Sequence, residues 1–139
     1  MSQENVERFR EATEAFNRWA AAPDSDPSAY LRFLDPEVQF EPVQATLQGH
    51  HYVGLDGVRA WLADLAEHYE RGHVDYTEIR DLGSQLLGIG TLQVVGRGSG
   101  IEIAVPMAVV ASVQDGLITR FKDYGGDKDQ ALEAAGLSE

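Results

Sequence analysis

Asp123 is the carboxylate best placed for chemistry in this chain. It ends the run Thr119-Arg120-Phe121-Lys122-Asp123-Tyr124, which reads as a strand. Alternation puts Thr119, Phe121 and Asp123 on one face, and Ile118, Arg120, Lys122 and Tyr124 on the other. An aspartate sharing a face with Phe121 could serve a cavity as acid or base, and burial against apolar walls would raise its pKa. The plain alternative is a strand-end carboxylate that caps backbone or pairs with an arginine. His50 and His51 precede Tyr52 in a loop from Gln44 to Gly54. Neighbouring histidines on extended backbone point in opposite directions, which makes them poor joint ligands, and no metal site is expected. One of them, with His50 as the candidate, suits ligand contact or proton carriage.

Large aromatics supply the apolar half of any site. Trp19, Tyr30, Trp61 and Tyr69 fall on segments with helical spacing. Tyr69 is expected in the core. Trp19 and Trp61 have a large ring with a polar tip, which suits a cavity wall as well as a core. Gln93, Met107 and Phe121 are candidates for floor and walls.

The elements that must hold these groups follow from periodicity and punctuation. A first helix is expected from Gln3 to Ala21, stopped by Pro23, and a short one after Asp26-Pro27 that runs through Leu34. Glu37 to Val43 reads as a strand. A third helix is capped by Asp56, carries Val58, Trp61, Leu62, Leu65 and Tyr69 on one stripe, and closes at Gly72. Strands follow at Val74–Leu82, Gln85–Val95, Gly100–Gln114 and Leu117–Tyr124, and a last helix starts at Asp127. Ile101 to Val113 is apolar on both alternating faces and ends in Asp115-Gly116, a tight hairpin signal. Both sides of the sheet must therefore be covered, one by helices and the other, on this reading, by a second subunit. Sequential hairpins and early helices give an α+β class with a curved antiparallel sheet wrapped around helices into a cone.

Composition narrows the partners. The chain has 139 residues, enough for one domain with a real core, and no cysteine, so disulfides and thiolate metal sites are excluded. Its net charge of −12 repels phosphate backbones and anionic lipids, so neither nucleic acid nor membrane is an expected partner. The N-terminal run is polar and acidic, and a cytoplasmic location is the default expectation. P-loop, dinucleotide and nucleophile-elbow motifs are missing, so no cofactor is expected.

Three stretches carry a resemblance: Tyr52-Val53-Gly54-Leu55-Asp56-Gly57-Val58-Arg59-Ala60-Trp61, Gly98 to Pro106, and Asp115 to Tyr124 running into Ala131 to Leu137. With the element order, they resemble the nuclear transport factor 2-like superfamily. Within it the chain is similar to the SnoaL-like group, related to polyketide cyclases and ketosteroid isomerase. The resemblance implies a homodimer packed through the sheets, each cone holding a small, mostly apolar molecule of polyketide or steroid kind, with the His50 loop at its mouth. Phe121-Lys122-Asp123-Tyr124 looks like the run that places a working aspartate in limonene-epoxide hydrolases. Those enzymes also need an Arg-x-Asp pair upstream, and Leu87 to Val95 carries no charge, which disfavours epoxide hydrolysis. Phe40-Glu41-Pro42-Val43 is similar to the base-bearing run of ketosteroid isomerases, making Glu41 a second catalytic candidate. The isomerase's oxyanion donors would fall near Phe16 and near Val109 or Val110, none of which can donate.

The leading expectation is a small-molecule-binding domain of unproven catalysis. One alternative is a cofactor-independent isomerase or cyclase, in which Asp123 or Glu41 moves a proton and His50, Tyr52 or Trp19 donates to the oxygen. The other is a protein-interaction module, which would fill its cavity with side chains.

Overall fold

The computed structural model describes residues 2–42 and 52–136. His50 and His51 lie outside the described residues. Helix α1 (Ser2–Ala20) buries Phe9, Ala12, Phe16, Trp19 and Ala20 on one stripe, as their spacing requires. Asn17 ties it to the sheet: its Nδ2 donates to the Val74 carbonyl at 2.9 Å, and the Val74 N–H donates to its Oδ1 at 2.7 Å.

Helix α2 (Ser28–Leu31) is a single turn held by Asp26, whose Oδ1 accepts from the Ser28 N–H and hydroxyl. It ends three residues before the expected Leu34, because Leu34 already opens strand β1 (Leu34–Glu41). The Ile118 N–H donates to the Phe33 carbonyl at 2.8 Å, which draws this segment into the sheet. Pro36 is accommodated where the β1 register shifts between Leu34 and Gln39, a place where a missing N–H is tolerated.

Strand β2 (Tyr52–Val53) is too short to show in the sequence pattern, and helix α3 (Gly54–His68) follows it directly. The helix ends at His68 rather than Gly72, and Tyr69 begins strand β3 (Tyr69–Asp81) instead of completing the helical stripe. Arg97 explains the early stop. Its guanidinium donates to the Ala66 and Tyr69 carbonyls at 3.0 and 3.2 Å, and its own N–H donates to the His68 carbonyl. Carbonyls that a glycine cap would have served are satisfied from a distant hairpin.

Strands β4 (Gln85–Gly96), β5 (Glu102–Gln114) and β6 (Leu117–Asp123) complete one open sheet in the order β2-β1-β6-β5-β4-β3. All neighbours are antiparallel except β1 and β6, which run parallel. Hairpin counting alone did not anticipate that pair. Asp115 and Gly116 take positive φ of 54° and 80°, as the β5–β6 turn demands.

Helix α4 (Lys128–Ala134), capped by Asp127 through the Gln130 N–H, crosses the opposite sheet face from α1 and α3. Met107, Val109, Ala111 and Val113 of β5 join the main core, whereas Ala108 and Val110 pack with Leu87 under Ala131 and Leu132. The chain therefore covers part of its own convex face, a role the sequence reading gave to a second subunit. Glu102, Ala104 and Pro106 of that face remain exposed. No helix among the described residues is long and apolar enough to cross a membrane.

Candidate functional site

Between the helices and the concave face lies a cavity of about 320 Å3. Alternation along each strand chooses its walls. Val74 and Tyr76 come from β3, Leu92 and Val94 from β4, Val105 and Met107 from β5, and Phe121 and Asp123 from β6. Helices α1, α2 and α3 add Phe9, Phe16, Tyr30, Trp61 and Leu65. The rings brace one another: Phe40 stacks on Phe121 with centroids 4.6 Å apart, and Phe16 stacks on Trp61 at 5.9 Å.

Asp123 is the only buried charged side chain among the described residues, at 4% exposure. Its Oδ1 accepts from the Gly125 N–H at 2.8 Å and the Ala108 N–H at 3.2 Å. One oxygen thus caps backbone at the strand end, and the residue also lines the cavity. No described residue hydrogen-bonds its Oδ2, and because every fully buried side-chain nitrogen or oxygen among the described residues has a partner, that oxygen opens onto the cavity. Burial pushes its pKa up to about 6, against the opposing pull of those two backbone donors.

Two tyrosines share the cavity with it. Tyr30 and Tyr76 line the same cavity, and neither hydroxyl is bonded to another described residue. Burial raises Tyr30 above the usual phenol range. Tyr76 is raised by burial first and then by the charge of Asp123, with a smaller contribution from Tyr30. Both hydroxyls therefore stay protonated at neutral pH and available as donors. Glycine makes room for Tyr76: a Cβ on Gly88 would sit 3.0 Å from its ring and 3.4 Å from Phe9.

Of the residues expected at the site, Asp123, Tyr30, Trp61, Met107 and Phe121 meet at this cavity. The others lie elsewhere. Glu41 is on the convex face, its Oε2 3.9 Å from Lys122 Nζ, because β1 turns Phe40 inward. Gln93 is exposed on that same convex side, opposite His73, while its neighbours Leu92 and Val94 face in. Trp19 is buried beside Phe16, donating its indole N–H to the Ser25 carbonyl at 3.2 Å, and does not line the main cavity. Tyr52 is half-buried against β1 and also stands outside it. His68 is exposed on α3 and pairs with Asp64, and His73 is exposed on β3. The described residues hold no cluster of three His, Cys, Asp or Glu suited to a metal ion.

Sequence reasoning passed over Tyr76 and placed Tyr69 in the core, although both line the cavity. The signal for Tyr76 was present: Val74-Asp75-Tyr76-Thr77 alternates, and Gly88 on the next strand leaves space for a large ring.

The fold is shared with several solved structures. A nuclear transport factor 2-like protein of unknown function from Burkholderia pseudomallei is 22% identical, with a TM-score of 0.72 over 94% of this chain and 95% of the other. A putative polyketide cyclase from Xanthomonas campestris is 22% identical at TM-score 0.69, covering 88% and 90%. TerC, co-crystallised with polyporic acid, is 20% identical at TM-score 0.70, covering 86% and 89%. At these identities the likeness establishes the fold. No curated protein matches the sequence. A family model for the SnoaL-like domain matches residues 6–121, covering α1 from Val6 onward, all of α2 and α3, and every described strand but the tip of β6. Its reach, with the open six-stranded sheet and the cone beneath it, places this chain in the SnoaL-like domain family.

Proposed function

We propose that this SnoaL-like domain binds a small, mostly apolar, ring-bearing molecule of polyketide or steroid kind, its polar group turned toward Asp123. One observation carries the reading: an apolar cavity of about 320 Å3 whose polar groups Asp123, Tyr30 and Tyr76 share it with stacked aromatic rings. That volume sits at the low end of small-molecule sites, roughly 300–1,000 Å3, and far above what a protein-docking module with a filled interior would leave. TerC, which shares the fold, was crystallised with an organic molecule. Tryptophan fluorescence tests the proposal. Trp61 lines the cavity and Trp19 does not, so ring-bearing ligands should quench emission in the native protein and lose that effect in Trp61→Phe. Equal quenching in both proteins would point to binding elsewhere.

A second reading, a cofactor-independent isomerase or cyclase, is favoured by the two tyrosines. Asp123 would take a proton from carbon next to a carbonyl, and Tyr30 and Tyr76 would donate to the oxygen as charge develops there. They stand in for the donors missing at Phe16 and Val109. Glu41, on the far face, has no part in this scheme. Solvent deuterium exchange into ring ketones, followed by NMR, should be lost in Asp123→Asn and slowed in Tyr76→Phe. Exchange unchanged in both variants would remove this reading.

The homodimer belongs to the same proposal. Ala104 and Pro106, on the convex face that α4 leaves bare, are the surface for a second copy. A charged residue there, Ala104→Arg, should convert a sedimenting dimer to monomer.

A further inference from the structure

We infer that the cavity selects a lipophilic cation, a protonated amine on a ring-bearing apolar frame whose nitrogen docks against Asp123 Oδ2. The inference rests on the small-molecule reading above and goes beyond it by fixing the charge of the ligand. Asp123 is 4% exposed, and its Oδ1 is committed to two backbone N–H groups while Oδ2 has no partner among the described residues. None of the described residues lining the cavity is lysine, arginine or histidine, so the lining supplies no counter-charge. A buried carboxylate without a counter-charge is costly, and a ligand cation offsets that cost where a neutral ligand cannot.

The rest of the site suits the same ligand. Aromatic faces attract cations, and Phe16, Trp61 and Phe121 line the walls beside Tyr30 and Tyr76. An ammonium carries several N–H donors, and the two tyrosine oxygens can accept what Asp123 does not. The net charge of −12 favours approach of cations and opposes carboxylates and phosphates. A ligand carboxylate would meet Asp123 with no positive group between them.

The test is calorimetric titration of the intact protein near pH 8, where a carboxyl with a pKa of about 6 is ionised. The probes share one frame: naphthylmethylamine, naphthylmethanol and naphthoate. The amine should bind at least roughly tenfold tighter than the alcohol, and the naphthoate should bind weakest. Asp123→Asn keeps an Oδ1 for the two backbone donors, so the fold is retained. In that variant the amine's advantage over the alcohol should shrink to within about twofold. Alcohol binding that equals or exceeds amine binding in the native protein would overturn the cation inference and leave the small-molecule reading standing. An advantage for naphthoate would overturn it too. If no probe binds, both the inference and the reading beneath it fall. Comparison of the probes on the native protein decides the matter without the variant.

Discussion

Asp123 links the site to the stability of the whole fold, and the link has a definite sign. Burial raises this carboxyl from its ordinary 3.8 to about 6 in the folded state. The folded chain therefore holds the proton more tightly than the unfolded chain does. The associated stability is fully present below the unfolded value and is lost as pH rises through the folded one. At about 1.4 kcal/mol per pH unit, the rise is worth about 3 kcal/mol between roughly pH 4 and pH 7. Because the residue is almost fully buried, solvent screening takes little from that figure. Other carboxylates titrate over the same range, so the native protein alone cannot isolate the effect. Asp123→Asn does so, since the amide retains an acceptor for Gly125 and Ala108 and has no proton to lose. The assay is urea denaturation of both proteins at half-unit pH steps. The variant should gain stability relative to the native chain by about 3 kcal/mol from pH 4 to pH 7, with flat differences outside that window. Two curves that run parallel across the window would refute the burial argument.

Three further substitutions probe what holds the cavity open. Asn17→Ala severs both bonds between α1 and Val74, and urea denaturation should report a loss of about 1–3 kcal/mol. Gly88→Ala puts a methyl 3.0 Å from the Tyr76 ring, which should cost about 1–3 kcal/mol by overpacking and weaken ligand binding as that ring is displaced. Glu41→Gln alters the convex face beside Lys122, and titration should find ligand affinity unchanged to within about twofold.

Local signals carried most of the fold. The stripe on α1, the Asp115-Gly116 turn and the Asp127 cap are all where the residue pattern put them. What could not be read depends on partners far away in the chain. Arg97 ends α3 from a hairpin about thirty residues away, so the helical stripe ran on to Tyr69 with nothing local to contradict it. Beta strands raise a different difficulty. Leu87 and Ile89 look as apolar as Leu92 and Val94, because α4 covers the convex side of β4. Alternation alone then cannot tell which parity faces the cavity, and Gln93 was assigned to the wrong one. Asp123 was legible because Phe121 shares its face while Arg120 and Lys122 take the other. Upstream the alternation breaks, since a register shift between β5 and β6 turns Ile118, not Thr119, toward the cavity. Glu41 had no such guide. Its orientation follows from the parallel register of β1 on β6, which pairs it with Lys122 and turns Phe40 inward.

The central claim is that the concave side encloses space for a foreign molecule and that Asp123 meets its polar end. A crystal structure of the protein grown with naphthylmethylamine addresses this most directly. Density for the ring system should lie between Trp61 and Phe121, with the nitrogen within hydrogen-bonding distance of Asp123 Oδ2. Side chains closed over the same volume, or the probe found only on the outer surface, would contradict it.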